Sequence, residues 1–231
     1  FEMKDEFDKF LENSFTKIKA KKYGYLIIDL RNNSGGNSGI AEDLLNYLTN
    51  NPYRFFGGGQ MKVSKHVLEF ITKYIPEYAK ELEKLTIDSI YTYEFTAQTP
   101  PKNSLGFKGK IFVLISNYTF STASGFSAVI KDFGIGTLAG EETGGLPTCY
   151  GDACRVTLAN SELTIGISWK YFIRPNGDTT YVHHGVMPDI PVKTTIEDLH
   201  KDIDPVMEKV KEIIRKDLKK ESNLKIVGSM Q

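Results

Sequence analysis

Residues 23–36 read YGYLIIDLRNNSGG, and residues 110–145 read KIFVLISNYTFSTASGFSAVIKDFGIGTLAGEETGG. Each is an unbroken apolar run that stops at small and polar residues and then takes on helical spacing. A continuous run such as Tyr25–Leu30 is expected to form a strand buried on both faces, as in a parallel sheet. The sequence therefore predicts strand–turn–helix units, in which backbone N–H groups and the Ser121 hydroxyl collect at the ends of neighbouring strands. An α/β enzyme builds an oxyanion hole beside a nucleophile in this way.

The rest of the chain is read outward from those units. Apolar positions Met3, Phe7, Phe10, Leu11, Phe15 and Ile18 recur at helical spacing before the first strand, and Ile40–Leu48 continues as a helix after the glycine turn. Gly57-Gly58-Gly59 lacks the Lys-Ser/Thr of a phosphate cradle, so residues 51–62 are expected to be a flexible loop. Residues 64–85 are helical in pattern with a break at Pro76, residues 87–96 suit a short strand, and 98–109 a loop. Strand 110–116 leads into helix 122–133, whose inward face is Phe126, Val129, Ile130 and Phe133, with Gly134 at its C-terminal cap. Strands follow at 136–140, 153–159 and 163–173, and an extended segment at 185–192. Asp204-Pro205 opens a final helix, and the polar tail after Lys219 is expected to fray.

Composition narrows the function. The chain has 231 residues, 40% hydrophobic and 12% aromatic, with Lys+Arg and Asp+Glu both at 29. Zero net charge gives no electrostatic reason to capture nucleic acid or an anionic membrane, and no apolar run approaches the roughly 20 residues of a membrane span. Histidines are scarce, so neither a metal nor another cofactor is expected. Cys149 and Cys154 either close a small disulfide loop or remain two thiols near a strand; spacing does not decide between them.

Ser121 has two readings at this level. It would cap the N-terminus of the following helix, or it would attack a substrate carbonyl there. Gly35 and Gly36 would bring N–H groups close to a ligand, or make an ordinary strand-to-helix turn. Asp29 and Arg31 read as a pair bracing the strand end. Asp178 reads as turn chemistry. His183 and His184, consecutive on an expected strand, would point to opposite faces, while His66 and His200 read as solvent-facing. Lys170 is a conceivable base, but a lysine on a strand is expected to face water.

Taken in order, LIIDLRNNSGG, TFSTAS, AGEETGG and GVMPDIPV resemble the S41 serine peptidases, the family of C-terminal processing and tricorn core proteases. The resemblance runs over roughly residues 1–195. It implies a ClpP/crotonase-like α/β fold of repeated β-β-α units, and peptide-bond hydrolysis through an acyl-enzyme without a cofactor. Ser121 matches the nucleophile. The backbone N–H groups of Gly35, Gly36 and Thr122 match the oxyanion hole, and Gly140, Thr143 and Gly144 match the groove that takes a polypeptide substrate. Processing proteases of the family carry a lysine base where Leu146 stands. The tricorn-like branch uses a histidine that would lie upstream of residue 1, and a glutamate where Tyr181–His184 stand. The expectation is therefore a tricorn-like peptidase core over 1–200, followed by a C-terminal helix and tail over 201–231. By family habit the location would be exported or in the cell envelope. The alternatives are a non-catalytic peptide- or ligand-binding relative and, more remotely, a crotonase-like acyl-CoA enzyme.

Overall fold

The computed structural model describes residues 2–228; for residues 2, 3 and 221–228 only the backbone is described. Among the described residues, two four-stranded sheets and seven helices make a mixed α/β fold. The first sheet is parallel, in the order β1 (Tyr25–Asp29), β4 (Lys110–Ile115), β5 (Thr137–Gly140), β8 (Ile190–Pro191). The second is antiparallel, in the order β3 (Ile90–Glu94), β2 (Gly58–Lys62), β7 (Thr164–Ile173), β6 (Cys149–Thr157).

Side-chain alternation along β4 builds the centre of the molecule, because successive residues face opposite sides of a sheet. Ile111, Val113 and Ile115 face one core with Leu11 and Phe15 of α1 (Glu2–Lys21), Leu45 and Leu48 of α2 (Ser38–Leu48), and Phe126, Val129 and Ile130 of α5 (Thr122–Asp132). Phe112 and Leu114 face a second core with Val206 and Val210 of α7 (Pro205–Gly228). Both sides of β4 are thus covered, as its continuous apolar sequence requires.

The strand expected at Tyr25–Leu30 forms, but as the outer strand of the sheet. It is half-buried, with Leu26 and Ile28 packed against one core and Tyr25 and Ile27 against the other, so both faces are covered, and it ends in an exposed Asp29. Of the apolar positions of α1, Leu11 and Phe15 are buried, whereas Phe10 points outward; the side chain of Met3 lies outside the described residues.

The triple glycine is not a flexible loop. Gly58 and Gly59 begin β2, which pairs with β3 on one side and β7 on the other. A Cβ at Gly59 would run into the Tyr171 carbonyl oxygen, so only glycine lets these backbones approach. Helices α3 (Lys65–Tyr74) and α4 (Pro76–Leu82) break at Pro76 as expected and cover this sheet through Val67, Ile71, Ala79 and Leu82, packed around Val63, Cys154 and Trp169.

Strand β6 starts at Cys149, four residues earlier than its sequence suggests. Cys149 and Cys154 are both free, Cys154 being buried with its thiol against the Ile167 carbonyl oxygen. Five residues apart on one extended strand, they are separated by roughly 16 Å, beyond disulfide reach.

Asp204 caps α7 by accepting the Met207 N–H at 2.9 Å, as expected. The helix runs on to Gly228 and α6 (Ile196–His200) precedes it. The expected fraying of the tail concerns, in part, residues 229–231, outside the described region.

Candidate active site

The loop after β1 and the loop after β4 are bonded together before either reaches a helix. Leu30 N–H donates to Leu114 O at 2.9 Å, and Thr119 Oγ1 donates to Leu30 O at 2.7 Å. Ser116 Oγ donates to Arg31 O. Phe120 N–H donates to Asn33 O at 3.0 Å, and Thr122 Oγ1 to Gly36 O at 2.6 Å. The parallel pairing of β1 with β4 delivers both loops to the same sheet end, and these bonds fix their separation.

Ser121 sits where they meet. Its φ of +48° and ψ of −125° are strained for a residue carrying a Cβ, and its hydroxyl makes no cap bond to α5. The capping role open to it in the sequence is therefore unused, and the residue is exposed. Gly35, at φ +95°, packs directly against it. A Cβ there would lie 2.6 Å from Ser121 Cβ and 2.7 Å from Thr122 N.

Of the amides expected to form an oxyanion hole, Gly35 N–H is taken, donating to Asn33 Oδ1 at 2.9 Å. Gly36 N–H has no partner among the described residues. Thr122 N–H belongs to the first turn of α5, where no intrahelical acceptor exists and the helix end favours negative charge.

Ser121, Thr122 and Gly36 open onto a cleft of about 940 Å³ between the parallel sheet's loops and the antiparallel sheet. Gly144 lines it, together with Gly145, Leu146 and Pro147. Gly140 and Thr143, expected beside Gly144, do not line it. Gly140 is buried at the end of β5, and Thr143 is buried behind the wall, its Oγ1 donating to Gly145 O and accepting from Val186 N–H, both at 2.8 Å. Thr143 thus ties the glycine loop to the Gly-Val segment at 185–186.

The far wall was not foreseen. Residues 149–152 of β6, Lys170 and Phe172 of β7, Met61 of β2 and Tyr78 of α4 complete the cleft. Lys170 does not face water: its side chain is 15% exposed and its ammonium lies 2.7 Å from Asp152 Oδ2. Burial pushes the Cys149 thiol up; burial also raises the Tyr93 phenol, which reaches about 12.

No histidine lines this cleft among the described residues. His183 falls in a turn and His184 just after it, not on a strand. His184 Nδ1 lies 3.4 Å from Glu142 Oε1, which also accepts Gly185 N–H at 2.7 Å. His66 and His200 are exposed. Asp178 closes a turn by accepting Thr180 N–H at 2.8 Å, and bonds from Thr180 hold its carboxyl below the usual range.

Asp29 and Arg31 brace the strand end as expected, and Asp204 joins them. Arg31 donates to Asp29 at 2.6 Å and to both oxygens of Asp204 at 2.8 Å. Burial alone would raise the Asp29 carboxyl, but the Arg31 bonds outweigh it and hold it low; the same guanidinium holds Asp204 low.

This geometry meets its relatives at the level of the family. The model of peptidase family S41 matches residues 1–192, and the chain belongs to that family. No curated protein sequence matches it. Among solved structures it is similar to a protein from Parabacteroides merdae ATCC 43184, with TM-score 0.61, 19% identity, 87% of this chain covered and 56% of that one. It is also similar to mature CPAF complexed with lactacystin, with TM-score 0.59, 19% identity and coverages of 91% and 46%. The photosystem II D1 C-terminal processing protease gives TM-score 0.50, 18% identity and coverages of 80% and 38%. At these identities the likeness speaks to fold, and the chain spans only about two fifths to just over half of each structure. Among the described residues, no helix is long and apolar enough to cross a membrane, and no cluster of three metal-ligating side chains occurs.

Proposed function

We propose that this chain is the core of a serine peptidase that cleaves polypeptides through an acyl-enzyme on Ser121. The observation that carries the reading is the exposed Ser121 hydroxyl, free of any cap bond and held at the mouth of a cleft by a strained backbone. In this reading Ser121 Oγ bonds to the scissile carbonyl carbon and gives its proton to a base. The carbonyl oxygen becomes an oxyanion received by the N–H groups of Gly36 and Thr122, with Gly35 shaping the turn. The C–N bond then breaks as the amine takes up a proton, and water hydrolyses the ester to restore the serine.

No described histidine lines the cleft and Lys170 is engaged by Asp152, so the reading draws its base from outside the described residues. That fits the tricorn-like branch of the family better than the lysine-dependent one, whose lysine position holds Leu146. The same reading takes residues 1–200 as a ClpP/crotonase-like core, with the later helix appended, in an exported or envelope-associated protein.

A fluorophosphonate probe tests it. With the segment that supplies the base present, mass spectrometry of the labelled protein is expected to place the adduct on Ser121. The engaged Lys170 and the missing histidine favour one competing reading, a relative that binds peptides without cutting them. An unlabelled, folded protein that still binds peptide would establish that reading instead.

A further inference from the structure

The wall of the cleft is dominated by rings: Phe55, Phe56, Tyr93, Phe95, Phe120 and Phe172 all line it. Asp152 and Lys170 are the only Asp, Glu, Lys or Arg among its lining residues, and they neutralise each other at 2.7 Å. The Lys170 ammonium also lies 4.5 Å from the centre of the Trp169 ring and 5.1 Å from that of Tyr78. One side chain thereby joins β7, β6 and α4, three elements of the wall.

The electrostatic consequence follows from the pairing. A substrate carboxylate or ammonium entering the cleft would shed its water and meet no unpaired counter-charge, which disfavours burial. An apolar side chain would leave water for a surface of aromatic carbon, which favours it. The volume of about 940 Å³ is at the upper end of small-molecule sites and takes several residues of a chain.

We infer that the aromatic cleft beside Ser121 is a specificity subsite for bulky apolar side chains of a polypeptide, with the Asp152–Lys170 pair as the neutral clamp of its wall. The inference rests on the peptidase reading for the identity of its occupant. Either member of the pair alone would give the cleft a sign: an unmasked Asp152 would attract a cationic side chain, and an unmasked Lys170 an anionic one.

The test is equilibrium binding, which requires no catalytic base. N-acetylated hexapeptides differing at one central residue (Phe, Leu, Ala, Asp or Lys) are titrated into the 231-residue chain by calorimetry. The Phe and Leu peptides are expected to bind at least about tenfold more tightly than the Asp and Lys peptides. Phe95→Ala, at a ring 46% exposed and so of small consequence for folding, should shrink that ratio several-fold. Lys170→Met should raise affinity for the Lys peptide, and Asp152→Asn for the Asp peptide. Should one of these fail to fold, the other and Phe95→Ala carry the test. Equal affinities across the series, or preference for a charged peptide in the unaltered chain, would overturn the inference. Fluorophosphonate labelling is read separately. Read on a preparation that includes the segment supplying the base, Ser121 labelling without apolar preference removes the subsite and keeps the hydrolase, while apolar preference without labelling keeps the subsite and removes the hydrolase.

Discussion

The two sheets that flank the cleft are built on opposite plans. The parallel sheet is enclosed: Val113, Leu114, Ile115 and Leu138 are without solvent contact, and helices cover both faces. The antiparallel sheet has a smaller core on one side, and Ile90, Ile165 and Ile167 stand exposed on it. The enclosed half positions Ser121, Gly36 and Thr122, which the proposed chemistry would require to hold to fractions of an ångström. Rings reach the cleft from both halves: Tyr93 and Phe172 from the antiparallel sheet, Phe120 from the loop after β4 and Phe55 from the core beneath the parallel sheet. Rigidity and openness are thus divided between two layers, which meet along the cleft and also where Arg174, just after β7, donates to Asp132 of α5 at 2.7 Å.

Substitutions can break that division. Ser121→Ala should abolish fluorophosphonate labelling and lower any peptide hydrolysis by about 10³-fold or more, while denaturant melts stay within about 1 kcal/mol of the unaltered protein. A labelled or fully active variant would move the chemistry elsewhere. Next is Gly35→Ala, which places a Cβ 2.6 Å from Ser121 Cβ at a φ of +95°. It is expected to cost about 3 kcal/mol of stability and to reduce labelling of Ser121, since the elbow must shift to admit it.

A matched pair of truncations sharpens the contrast between layers. Leu114→Ala in the enclosed sheet should cost about 3 kcal/mol by urea denaturation, against less than about 1 kcal/mol for Ile165→Ala in the open one. Similar losses at both sites would erase the distinction.

The smallest effect concerns acid. Asp29 and Asp204 titrate below their ordinary value of 3.8 in the folded chain. As pH falls the unfolded chain therefore takes up protons first. Their contribution is complete above that ordinary value and disappears as pH drops through the folded values. Because these groups are partly exposed, Arg31→Met should remove only about 1 kcal/mol at neutral pH. It should also flatten the acid limb of a stability–pH curve; an unchanged limb would show the bridge to be idle.

The same division explains what could be read in advance. Strand β1 with its glycine turn, and β4 with Ser121, are each contiguous stretches, so local pattern marks them. The far wall was hidden because it assembles from β2, β6, β7 and α4, whose partners lie far apart in sequence. Gly57-Gly58-Gly59 has little strand propensity and passes for a loop until its neighbours Tyr93 and Tyr171 are known. Glycine within a strand often marks a close backbone approach, and that was the available clue. Lys170 was misplaced for a related reason: alternation along β7 does not reveal that Asp152, Tyr78 and Trp169 would enclose an ammonium. Gly140 closes β5 and Thr143 shares the following loop with Gly144; only the fold separates the residue lining the cleft from its two buried neighbours.

The contact between Gly35 and Ser121 also bears on how such a chain can vary over time. Because the missing side chain at 35 makes room for the one at 121, the two positions are yoked. A lineage that keeps its serine in this posture has no freedom at the glycine, and one that lets the glycine drift must first release the serine. Loss of the first should therefore forecast loss of the second in descendants, well before any change shows in the buried strands behind them.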